Sequence, residues 1–68
     1  MEIVKKLETF IDWQVKDAKK YQNSAQMVYN FRGIAYGALM FALESGMVEF
    51  QEGAALWDRK KPEFDKLI

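Results

Sequence analysis

The chain has 68 residues, half of them apolar and 15% aromatic, and its ten basic and ten acidic side chains cancel. That length holds one domain at most. The composition is too apolar for a disordered chain, and zero net charge gives no long-range attraction to nucleic acid or to an anionic membrane. Cysteine and histidine are both absent, which removes disulfides, thiol chemistry, the commonest metal ligand and the commonest general base.

Charge divides the sequence into three blocks. Residues 1–22 alternate lysines and carboxylates with apolar groups, residues 23–46 carry only Arg32 and Glu44, and residues 47–68 are again charged. The first block predicts an amphipathic helix over residues 2–21. Ile3, Leu7, Phe10, Ile11 and Ala18 fall on one stripe with Val4 at its edge, while Trp13 and Val15 lie off it. Glu2 with Lys6 and Asp12 with Lys16 have the acid-before-base i,i+4 order that supports a helix surface. No signal-peptide pattern occurs in these residues. With the lack of cysteine, that leads to the expectation of a cytoplasmic protein.

Asn23 followed by Gln26 has the form of a capping box, with Ser24 as an alternative cap. A second helix is expected over residues 24–44. Its apolar groups, among them Val28, Phe31, Ile34, Leu39 and Phe41, point in nearly every direction, the mark of a helix surrounded by others or by lipid. Its low-polarity run, from Gly33 to Leu43, is too short to span a bilayer, which takes about 20 residues. Gly46 is suited to a left-handed C′ position with Met47 packing back.

A third helix is expected over residues 48–60, its apolar groups Phe50, Ala54 and Trp57 recurring with Phe64 and Ile68 beyond it at spacings of three, four and seven, and Gly53 weakening it by roughly 1 kcal/mol relative to alanine. Pro62 should then kink the chain and open a short turn over residues 62–67 that carries Phe64. The resulting fold class is all-α, a two- or three-helix hairpin or bundle whose apolar central helix is completed by oligomerisation.

Four groupings bear on function. Gly33 and Gly37, with Ala38 and Ala42, leave part of the second helix almost free of bulk. Such a stripe admits a close helix neighbour, either a partner or the chain's own first helix. Arg32 stands alone in the apolar block with Tyr29 and Tyr36 at i−3 and i+4, as an interface anchor or as an edge residue covering the core with its stem. Lys16, Lys19 and Lys20, and separately Arg59, Lys60 and Lys61, are basic clusters. They read as phosphate contacts or as solvated helix ends. Glu8 with Asp12, and Glu49 with Glu52, share helix faces but lack the further ligands a hard cation needs.

The expected function is therefore a non-enzymatic protein-interaction or assembly module without cofactor. It would act as a homo-oligomer, a dimer before others, through a contact of Tyr29, Arg32, Gly33, Tyr36, Gly37 and Met40, or it would dock on a larger protein as a small inhibitor or adaptor. A dimeric nucleic-acid regulator using Lys16, Lys19 and Lys20 is the alternative from another class. A helical pocket for a hydrophobic small molecule, built from Trp13, Trp57, Met27 and Met40, is the third.

Overall fold

A computed structural model describes residues 2–68 as three helices: α1 (Glu2–Lys20), α2 (Ala25–Glu44) and α3 (Phe50–Asp65). They form a small all-α bundle with no strand among the described residues. α2 packs against both α1 and α3, and α1 also meets α3, so the three-helix alternative is the one realised. No helix is long and apolar enough to cross a membrane among the described residues.

The core runs along the line where the three helices meet. Ile11, Val15 and Ala18 come from α1, Val28, Ala35 and Leu39 from α2, and Leu56 and Phe64 from α3. In α1 the buried line passes through Ile11, Gln14, Val15 and Ala18. The stripe is thus turned away from Ile3, which stays 43% exposed. Of the two residues off the expected stripe, Val15 is buried and Trp13 stands outside.

The ends of α2 explain its length. Ser24 is the N-cap, and its hydroxyl accepts a hydrogen bond from the Met27 amide at 3.3 Å. The cap therefore falls one residue after Asn23, and the Asn23–Gln26 capping box does not form. At the other end Gly46 has φ +78°. Its amide donates to Leu43 O at 3.2 Å, and the Met47 amide donates to Ala42 O at 2.9 Å. These are the two bonds of a Schellman ending, and only glycine adopts that φ without strain. The turn separates α2 from α3 and drops Val48 into the core at 5% exposure.

α3 corrects two expectations. It continues through Pro62 to Asp65 with no separate turn. Proline forfeits one backbone bond, but Phe64, at 0% exposure, and Leu67 hold the last turns on the core. Burial of that ring, about 1.5–3 kcal/mol, offsets the local penalty. The second correction is the face. Gly53 and Leu56 join the expected Phe64 on the inside, while Phe50 is 75% and Ile68 52% exposed. Gly53 is a contact residue: a Cβ there would sit 2.6 Å from Leu43 Cδ2 and 3.3 Å from Leu39 Cδ1. Here, and not at Gly37, the missing side chain lets two helices of this chain approach.

Candidate interaction surface

Successive residues on an α-helix turn by about 100°, so the side of α2 opposite the buried Ala35 is fixed by the sequence. It carries Tyr29, Gly33, Ile34, Tyr36, Gly37 and Phe41, all exposed, with Met40 half-buried. Tyr29 is 55%, Ile34 43%, Tyr36 45% and Phe41 65% accessible. A Cβ built at Gly33 or at Gly37 meets nothing within 4 Å. α1 therefore does not pack on the two glycines, whereas Ala42, the far end of the expected stripe, is covered within the chain at 5% exposure. Gln26 and Glu44 are polar groups near the two ends of this side, and Asn30 is a polar group within it, one turn before Gly33 and Ile34.

Five of the six residues expected at a contact lie on this side or its margin. The sixth, Arg32, leans toward α3. Its guanidinium carbon lies 5.5 Å from the centroid of the Trp57 ring, and Nε faces Asp65 Oδ1 at 3.6 Å. Nε itself is buried without a hydrogen-bond partner. The charge is thus held by an aromatic face and an ion pair at the seam of α2 and α3. Tyr36 joins the same cluster, its ring 5.2 Å from Trp57, which is in turn 6.3 Å from Phe64. Tyr36 is therefore braced from behind while its other side faces solvent. Ile34 and Phe41 belong to the outer face as well. Their signal was present in the i,i+7 spacing, but a helix apolar all round does not announce which side its neighbours cover.

The acidic pair Glu8 and Asp12 does hold a cation, and it belongs to the chain. Lys60 Nζ reaches Asp12 Oδ1 at 2.7 Å and Glu8 Oε2 at 3.2 Å, with Arg59 also on Glu8 at 3.4 Å. The hydrogen bond from Lys60 holds the Glu8 carboxyl below the usual carboxylate range, against the opposing effect of desolvation. The hydrogen bond to Asp12 raises Lys60 above the ordinary lysine value. These contacts stitch α1 to α3. Asp12 thereby turns to Lys60 in place of the expected Lys16. Among the described residues, no three carboxylates gather as a metal site would require.

The two basic clusters differ. Lys16, Lys19 and Lys20 are exposed, with Lys20 3.8 Å from Asp17. In the second cluster all three cations are engaged: Arg59 and Lys60 as above, and Lys61 with Asp65 at 2.9 Å. Neither cluster is free of carboxylates. Trp13, 60% exposed, lines a shallow groove of about 410 Å³ on the outer side of α1 with Phe10, Thr9, Lys5 and Lys6. Trp57, by contrast, is engaged by Tyr36, Phe64 and Arg32.

No protein-family model, no curated protein and no solved structure matches this chain.

Proposed function

We propose that this protein is a non-enzymatic assembly module that self-associates through the outer face of α2. One observation carries the reading: the central helix presents two tyrosines, a phenylalanine and an isoleucine, each 43–65% exposed, around a stripe of two glycines. A contiguous apolar face of this kind on a small protein marks an interface. Tyrosine and phenylalanine are the residue types enriched there. A chain of 68 residues has little core to spare, so burying this face adds stability that the lone chain lacks. The functional groups are apolar surface and tyrosine hydroxyls, which bind and position but do not carry out chemistry. The absence of cysteine supports a cytoplasmic setting.

The thermal midpoint tests this. For a dimer it rises with protein concentration, because pairing stabilises the folded state by mass action. The parent chain should show that rise over a hundredfold concentration range. Phe41→Lys should abolish it while leaving the helical circular dichroism intact. A parent midpoint independent of concentration would rule self-association out.

A further inference from the structure

We infer that the occupant of this face is a second copy of the chain, with its α2 antiparallel and the two-fold axis passing beside residue 35. The inference rests on the self-association reading and adds its geometry. α2 runs from Ala25 to Glu44, and Ala35, near its middle, is fully buried. The outer face is therefore centred opposite Ala35, and its residues are matched in pairs about that point. Gly33 is mirrored by Gly37, Tyr29 by Phe41, Ile34 by Tyr36 and Gln26 by Glu44. In a two-fold interface residue i meets residue j and j meets i, so an axis beside residue 35 brings the two glycines, two residues to either side of it, to the point of closest approach. Rotating one copy sets Gly33 against the partner copy's Gly37, where both backbones are bare and close approach is allowed. On one flank it sets the Tyr29 ring beside the partner copy's Met40, and on the other it sets Phe41 beside the partner copy's Asn30.

Charge selects the direction. Glu44 is the only carboxylate on this face, and it sits at the negative end of the helix dipole. The first turn of α2 holds no acidic residue and its last turn no basic one. Parallel pairing would bring the two Glu44 carboxylates together and align the dipoles. Antiparallel pairing lays Glu44 over the partner copy's first turn, at the positive end of its helix dipole, where the Gln26 side chain can donate to it.

The area is that of a small interface. At about 150–250 Å² for a fully buried ring, exposures of 55%, 45% and 65% at Tyr29, Tyr36 and Phe41 leave on the order of 300 Å² of aromatic surface. Ile34, Met40 and the glycine backbone extend it toward the roughly 600 Å² per partner at the lower end of specific interfaces. Zero net charge removes any general repulsion between copies.

The absence of cysteine makes the test clean. Asn30→Cys and Met40→Cys are prepared separately, mixed, cross-linked with a short bismaleimide and resolved by mass. Sedimentation of the parent is run alongside. The antiparallel register predicts a parent dimer and a mixed 30–40 cross-link in at least fivefold excess over either self-link. A parent dimer that links 30 to 30 and 40 to 40 overturns the antiparallel inference and leaves self-association standing. A parent dimer with no link at either position overturns the inference by placing the contact on another face. A monomeric parent overturns both.

Discussion

Along α2, Val28, Ala35 and Leu39 are at most 2% exposed, whereas Ile34 and Phe41, one and two residues from the last two, stand at 43% and 65%. The residue types on the two sides are alike. What differs is that α1 and α3 meet one side, whereas among the described residues only the margin of the other is touched, where Tyr36 leans on Trp57. The two neighbouring helices leave Tyr29, Ile34, Tyr36 and Phe41 at 43–65% exposure, so this apolar central helix keeps an uncovered side. Apolar composition reports that a helix will be surrounded, and the number of available neighbours determines how far one chain can do it.

The largest expected difference between the faces comes from truncation. Leu39→Ala should cost about 2–5 kcal/mol, the range for a large buried aliphatic. Phe41→Ala should cost less than about 0.5 kcal/mol at concentrations that keep the chain single, as an exposed position does. Urea denaturation read by tryptophan fluorescence, at dilutions where sedimentation shows a single chain, measures both. Similar costs at the two positions would erase the distinction between the faces.

Glycine substitutions sharpen the comparison in the next range. Gly53→Leu should destabilise by about 1–3 kcal/mol, because its side chain must displace Leu43 and Leu39. Gly37→Ala meets open space in the single chain, so better helix propensity should stabilise it by up to about 1 kcal/mol. In a pair of copies the same methyl group intrudes between two backbones. Gly37→Ala should then raise the midpoint at low concentration and flatten its rise with concentration. A loss of stability for Gly37→Ala at every dilution would contradict the open-space description.

The ionic seam between α1 and α3 gives the smallest effect. Glu8 is depressed, so its stabilisation is present at neutral pH and is lost as pH falls through the carboxylate range. Lys60 is raised, so its stabilisation is complete below the ordinary lysine value and is lost as pH rises through the higher folded value. Stability should be flat between about pH 5 and pH 10 and decline on both sides. Lys60→Met should lower the plateau by about 1 kcal/mol or less, given the solvent screening of its partners. It should also shrink the acid limb and remove Lys60's share of the alkaline one. Chemical denaturation at a series of pH values reads all three, and an unchanged acid limb would show that Glu8 does not depend on Lys60.

Much of this fold was legible in the sequence because its signals are local. Gly46 marks a helix end by its own conformational freedom, and the charged blocks mark helices with one wet side. The features that were misjudged depend on residues far apart in the chain. Gly53 read as a weak helix position because its value lies in Leu39 and Leu43 on another helix. Pro62 read as a break because the anchoring of Phe64 in the core is not visible from residues 58–62. Asp12 read as a partner of Lys16 because Lys60 lies 48 positions away. The stripe of Tyr29, Gly33, Tyr36, Gly37 and Met40 was visible as a pattern. That it faces solvent, and that Ile34 and Phe41 flank it, followed only once α1 and α3 were placed.

Sedimentation equilibrium of the unmodified chain at micromolar concentration addresses the central claim most directly. Pairing through the outer face of α2 predicts a species of twice the chain mass that dissociates on dilution and is reduced to a folded monomer by Phe41→Lys. A parent chain that sediments as a well-folded monomer across that range would contradict it.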